Sequence, residues 1–350
     1  MGTTILMYVL FVIGLILIIK GGDWFVDSAS WIAEVAGVPK FVIGATIVSI
    51  ATTLPEMIVS ITATAKGNVD MAAGNAIGSV TANSAMIMAL FIVCMPFAIK
   101  RKEFAPKALM MLGAAAALVL GCIFTQKAPV EGLPEGAYYR LSLIGIIVLA
   151  LIFIAFFIEN FISLKRENTQ IEPSPSNIGL QPEDGIIPTK EKATSKDWAK
   201  NIAFFVLGAA GIVIGAQLLV DYGTEIATSL GIPQRVISVL AIAIGTSLPE
   251  LVTTITAIRK KAGALSVGNI LGANIIDLTL ILPICSAVSA GKDSGMLAVS
   301  AASVEIDMIV CLAAIAIAVI PTIITKKFHR AQGIVMLAGY AGYVLYTVLA

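Results

Sequence analysis

The sequence predicts an all-α membrane protein of ten transmembrane helices arranged as two inverted five-helix repeats, and three observations predict it. The 350 residues are 58% hydrophobic and only 13% charged, where a soluble domain carries about 25% charged residues, and the mean hydropathy is +0.96. Apolar runs near the ~20-residue spanning length occur ten times, five on each side of one polar loop. The halves also match each other at a single offset of 194 positions, which pairs Asp27 with Asp221, Gly37 with Gly231, Pro39 with Pro233, Pro55 with Pro249, Gly74-Asn75 with Gly268-Asn269 and Gly78 with Gly272.

Taken in order, the first run is Ile5 to Ile19. No basic stretch precedes it, so it reads as a retained helix and not a cleaved signal peptide. Runs two to five are Val42 to Ala65, Met71 to Ile99, Ala108 to Phe124 and Leu141 to Ile162. A linker over residues 165–200 follows, with Pro173, Pro175, Pro182, Pro188 and mixed charge, a flexible composition. Its Glu183-Asp184-Gly185 lacks the ligand ladder of an EF-hand, so it is not read as a calcium sensor. Runs six to ten are Ala203 to Val220, Val236 to Ile258, Leu265 to Ala290, Met308 to Ile324 and Ile334 to Leu349. The repeats are therefore expected over 1–164 and 201–350, with the duplicated motifs inside about 41–90 and 235–285.

Loops after odd-numbered runs hold 18 of the 23 basic residues, which places them in the cytoplasm and both termini outside. Five spans per repeat is an odd number, so the second repeat enters the membrane from the opposite side. Inverted halves with interrupted helices in corresponding places belong to secondary transporters, whose site lies near the bilayer midplane. The net charge of +1 gives no footprint for nucleic acid. Cys94, Cys122, Cys285 and Cys311 stand singly in apolar segments and read as packed thiols.

The duplicated segments carry the chemistry. Thr52-Thr53-Leu54-Pro55-Glu56 and Thr246-Ser247-Leu248-Pro249-Glu250 each put a carboxylate, hydroxyls and a proline in an apolar run, where an unpaired charge costs roughly 2.5 to 3.5 kcal/mol on insertion scales. Proline removes an N–H and should loosen the carbonyls around Ser49 to Thr52, tolerable at membrane depth only beside a cavity or an ion. The glycines at spacing four, Gly74 with Gly78 and Gly268 with Gly272, allow close helix approach. Ser79 and Asn83 share one helical face, as do Ala273 and Asp277. An all-oxygen set of Glu56, Glu250, Asp277 and Asn83 suits hard cations such as calcium and sodium, not zinc or copper. Asp27 and Asp221 match across the repeats near the membrane boundary and are read as interface anchors, with a cation-attracting vestibule as the alternative. Trp24 and Trp31 read as interfacial anchors, and His329 among Lys326, Lys327 and Arg330 as a lipid-headgroup contact.

On these motifs the chain resembles the cation/calcium exchanger superfamily, and most closely its sodium/calcium exchanger branch. The carriers are Thr-Thr-Leu-Pro-Glu at 52–56, Gly-Thr-Ser-Leu-Pro-Glu at 245–250, Gly-Asn-x-x-Gly-Ser at 74–79 and Gly-Asn-x-x-Gly-Ala-Asn-x-x-Asp at 268–277. The resemblance implies that Glu56, Asn83, Glu250 and Asp277 form a central diamond for calcium or sodium. It further implies that the carbonyls of Ser49, Thr52, Ala243 and Thr246 and the side chains of Thr53, Ser79 and Ser247 complete the calcium and flanking sodium sites. Two positions depart from the family pattern: Ala273 replaces a serine and Val80 an asparagine.

The implied activity is antiport of sodium against calcium across the plasma membrane, with calcium, sodium and membrane lipid as partners, no cofactor and a monomeric chain. A proton- or potassium-coupled exchanger of calcium or another divalent cation is the alternative within transport. No Gly-x-x-x-x-Gly-Lys phosphate loop is present, so ATP is not expected to drive it. A membrane hydrolase using buried carboxylates and an ion channel are the readings from other classes.

Overall fold

The computed structural model describes residues 2–130, 136–167, 193–230, 245, 247–290 and 297–349, with the side chains of 2–4, 70 and 164–167 left aside. Among these residues, nine helices are long and apolar enough to cross a membrane: Ile5–Ala36, Lys40–Ala65, Met71–Cys94, Arg101–Ile123, Leu143–Ser163, Ser195–Ser229, Gly263–Ala290, Ser303–Thr325 and Arg330–Leu349. A shorter helix, Leu248–Arg259, is the described part of the seventh expected span. In chain order these ten helices are α1 to α10, with α7 the short one.

Two helices far exceed their expected lengths. Helix α1 continues past Ile19 through Lys20, Trp24 and Asp27, and α6 begins at Ser195 and runs to Ser229. Lys20, Trp24 and Asp27 are exposed on a continuous helix, and aromatic contacts join the extension of α1 to the start of α6. Trp31 of α1 meets Trp198 of α6 edge-on at 5.3 Å, and Trp24 packs on Phe204 at 5.5 Å. The start of α6 is fixed by a capping box in which Thr194 and Asp197 each bond the other's backbone N–H. Of the expected linker, residues 168–192 lie outside the described set.

Inversion is legible in how α1 meets α6. A Cβ at Gly21 would lie 2.8 Å from the Gly208 carbonyl oxygen, and one at Gly215 would lie 2.8 Å from that of Gly14. Gly14 and Gly208, like Gly21 and Gly215, are separated by the repeat offset. The two contacts are therefore one contact seen twice, and residue numbers rise along α1 as they fall along α6. Equivalent helices running antiparallel about a two-fold axis require that the second repeat be turned over. The missing side chains allow the backbones to approach closely, which in lipid replaces the hydrophobic drive for association.

Among the described residues two large apolar cores hold the bundle, with a small third cluster at Ala82, Ala85, Ala314 and Tyr340. One joins α1, α6 and the neighbouring ends of α2, α7 and α8 through Ile18, Phe25, Ala29, Ile43, Ile212, Ala257 and Leu265. The larger one fills the space between α3, α4, α5, α8 and α9. Lys107 of α4 is fully buried and paired with Glu159 of α5, its ammonium 5.4 Å from the centre of the Phe41 ring. Loop pairings agree with the expected sidedness. Strands β1 (Tyr138–Arg140) and β2 (Ala298–Ser300), both after even-numbered spans, pair antiparallel. On the other face Ile99 N–H donates to the Lys326 carbonyl at 2.9 Å and Phe328 N–H to that of Phe97 at 3.1 Å, which joins two odd-numbered loops.

Candidate functional site

Helices α2 and α8 cross in near backbone contact, and this sets the depth of the site. A Cβ at Gly268 would collide with the Phe41 carbonyl, one at Gly44 with that of Leu265, and one at Gly272 would sit 2.5 Å from the Ser49 hydroxyl. The expected role of Gly268 and Gly272 in close packing is thus met. For Gly74 and Gly78 the partner positions expected from the repeat offset, 235–243, lie outside the described residues.

Pro55 does not break α2. The helix runs without interruption from Ser49 to Ala65 with Pro55 inside it, and the wide, π-type turn lies upstream at Gly44–Val48. In the second repeat the motif starts α7 instead, with Pro249 in the first turn, where its absent N–H would have had no helical partner anyway. Two more π-type turns begin at Asn83 in α3 and at Asp277 in α8. Those residues are equivalent under the repeat offset, and such turns cluster at functional positions because the extra residue breaks the regular ladder.

The structure brings the acidic residues of both repeats together. Glu56 lies close enough to Glu250 and Asp277 to feel both charges, and Asp277 feels Glu250. The three side chains are no more than 1% exposed, as is Asn83. Ser49, Thr52, Thr53, Ser79 and Ser247 are buried alongside. Ala243 and Thr246, whose carbonyls complete the implied ligand set, lie outside the described residues.

Hydrogen bonding orders part of this cluster. The Thr52 hydroxyl donates to Asn269 Oδ1 at 3.1 Å and lies 3.3 Å from the Ser49 carbonyl oxygen, and it also reaches the Glu250 carboxylate. One proton facing three acceptors makes Thr52 the junction between α2, α7 and α8. Asn75 donates to the Ser60 hydroxyl at 2.9 Å and reaches the Glu56 carbonyl at 3.4 Å, tying α3 to α2. Asn274 donates to the Ser84 hydroxyl at 2.9 Å, which bridges the repeats beside Asn83 and Asp277. Asn75, Asn269, Asn274 and Ser84 were not singled out from sequence as positioning groups. The paired Gly-Asn motifs carried the signal for the first two, but only coordinates tell which oxygen each amide serves.

Among the described residues, both oxygens of Glu56, Glu250 Oε2, Asp277 Oδ1, both polar atoms of Asn83, Thr53 Oγ1 and Ser247 Oγ are buried and find no hydrogen-bond partner. Buried polar atoms are otherwise almost always satisfied, and buried carboxylates pair or bind metal. This oxygen-rich set fits hard cations. Among the described residues no three His, Cys, Asp or Glu side chains form a closed metal cage, so an ion here needs hydroxyl, amide and carbonyl oxygens between the carboxylates.

Asp27 and Asp221 stand apart from this cluster. Asp27 pairs with Lys260 at 2.7 Å, while Asp221 accepts from the Gln217 amide at 3.2 Å.

Comparison with known proteins agrees with the geometry. The profile of the sodium/calcium exchanger protein family matches residues 6–161 and 200–349. The inner membrane protein YrbG of Escherichia coli K12 is 31% identical over 81% of this chain and 80% of its own. The sodium/calcium exchanger MaX1 of Methanosarcina acetivorans is 30% identical over 79% of this chain and 81% of its own. Among solved structures, the sodium-calcium exchanger NCX_Mj soaked with sodium and strontium superposes with a TM-score of 0.74, at 28% identity and 97% coverage of both chains. The chain, with its two inverted repeats and its buried carboxylates shared between them, belongs to the sodium/calcium exchanger family.

Proposed function

We propose that this protein is a secondary-active antiporter that exchanges sodium for calcium across the plasma membrane by alternating access, with its odd-numbered loops in the cytoplasm and both termini outside. The observation that carries the reading is the meeting of Glu56, Glu250 and Asp277 in a buried cluster where both Glu56 oxygens, Glu250 Oε2 and Asp277 Oδ1 find no hydrogen-bond partner among the described residues. In this reading Glu56, Asn83, Glu250 and Asp277 hold the central ion. The Ser49, Thr52, Ala243 and Thr246 carbonyls and the Thr53, Ser79 and Ser247 side chains hold its flanks. Each chain supplies both halves of the site, which supports a monomer as the working unit.

Exchange follows from charge. Three carboxylates at close range repel one another, and in a low-dielectric interior that repulsion is strong. One calcium ion offsets two of the charges, and several sodium ions do the same work in smaller steps, so the two cargoes compete for one set of oxygens. An empty cluster opposes passage through the membrane, which couples the two fluxes.

The test is sodium-gradient-driven uptake of radiolabelled calcium into proteoliposomes. Uptake by the native chain, lost in Glu56→Gln and in Glu250→Gln, is expected. Uptake that survives Glu56→Gln, or that follows a proton or potassium gradient with sodium absent, overturns the reading.

A further inference from the structure

We propose that Asp27–Lys260 and Asp221–Lys66 are two alternating ion-pair latches, one on each face of the membrane, and that only the first is closed in the conformation described. The inference rests on the alternating-access reading above and adds residues outside the ion site to it.

The repeat offset supplies the argument. Asp27 corresponds to Asp221, and Lys66 corresponds to Lys260, each at 194 positions. A contact between Asp27 of α1 and Lys260 at the end of α7 therefore has a two-fold counterpart between Asp221 of α6 and Lys66 at the end of α2. The first is made: Lys260 Nζ lies 2.7 Å from Asp27 Oδ2, 3.5 Å from Asp23 Oδ1 and 3.3 Å from the Asp23 carbonyl oxygen, and Arg259 lies 3.8 Å from Asp23. The second is not. Among the described residues no ion pair joins Lys66 to Asp221; Lys66 is exposed, and Asp221 takes both its contacts from the Gln217 amide one turn earlier.

The two-fold relation that holds at Gly14, Gly21, Gly208 and Gly215 is thus broken at the latches. In a protein of inverted repeats, the oppositely facing state follows when the repeats exchange their conformations. That exchange opens Asp27–Lys260 on the face of the odd-numbered loops and closes Asp221–Lys66 on the other. The latches are also unequal. Asp23 and Arg259 reinforce the first, while their counterparts are Gln217 and Ala65, which bear no charge. The sequence therefore weights the equilibrium toward the state closed on the face of the odd-numbered loops.

The experiment is disulfide trapping in proteoliposomes from a chain freed of its four native cysteines. With Lys66→Cys and Asp221→Cys in place, the rate of cross-linking reports the state in which the second latch is closed. Adding Lys260→Gln should raise that rate by about two- to fivefold, the range for partly exposed pairs. The charge swap Asp27→Lys with Lys260→Asp should return it to the starting value, and this second variant separates a lost latch from a misfolded helix. Asp27→Cys with Lys260→Cys should cross-link readily and block calcium flux until reduced. A rate at 66 and 221 unmoved by Lys260→Gln, or full flux in the chain cross-linked at 27 and 260, overturns the proposal. If no form moves calcium with sodium yet the cross-linking rates shift as stated, it is the antiport reading that fails and the latches that stand.

Discussion

At position 273 the second repeat carries Ala where the equivalent Ser79 of the first carries a hydroxyl. Both are buried beside the cluster, so the substitution removes one oxygen donor without opening the site to water. Ala273→Ser should strengthen apparent sodium affinity about fivefold, from one added hydrogen-bonding or coordinating group, read from the sodium dependence of calcium flux. An unchanged titration would show that this hydroxyl is not used. Asn83 and Asp277 tell a related story, since they are repeat equivalents and both start wide turns. Only one is charged, which leaves three carboxylates in the cluster and an asymmetry between halves that the backbone does not have.

Among the elements, the α4–α5 pair is tied by the contact between Lys107 and Glu159, in which the lysine side chain is fully buried and the glutamate 17% exposed. Removing one partner of a buried pair leaves an uncompensated charge and costs about 3 to 5 kcal/mol, whereas replacing both with apolar groups of similar volume is often neutral. Lys107→Ala should therefore lower the thermal unfolding temperature in detergent sharply, and Lys107→Met with Glu159→Met should recover most of it. Equal losses in both variants would mean that the volume, not the charge, matters. Helices α1 and α6 behave differently. Their mutual contact rests on Gly14, Gly21, Gly208 and Gly215, and α1 is tied to α7 by the partly exposed ion pairs of Asp23 and Asp27 with Arg259 and Lys260.

For the molecule as a whole, cation binding and stability are one quantity. The native state gathers three carboxylates that the unfolded chain keeps apart, so a ligand that binds only the folded protein stabilises it by mass action, about 2.7 kcal/mol at a hundredfold excess over Kd. Calcium should raise the unfolding temperature of the purified protein, chelation should reverse the rise, and Glu56→Gln should be insensitive to both. A calcium-independent transition in the native chain would count against the cluster as a cation site. Sequence alone determined the class, the number of spans and the acidic residues that meet. Composition, charge asymmetry and the 194-residue offset are properties of the chain, and lipid forces every buried backbone group into helices. Tertiary structure decided what those patterns could not. Pro55 stays inside an intact helix, and the wide turn lies upstream of it at Gly44–Val48. Thr52 and Asn269 meet across 217 positions because Gly268 and Gly272 let α8 press against α2. Of two ion pairs that the repeat makes equivalent, one is closed and the other open, since symmetry of sequence permits either arrangement and only packing in a given state selects between them.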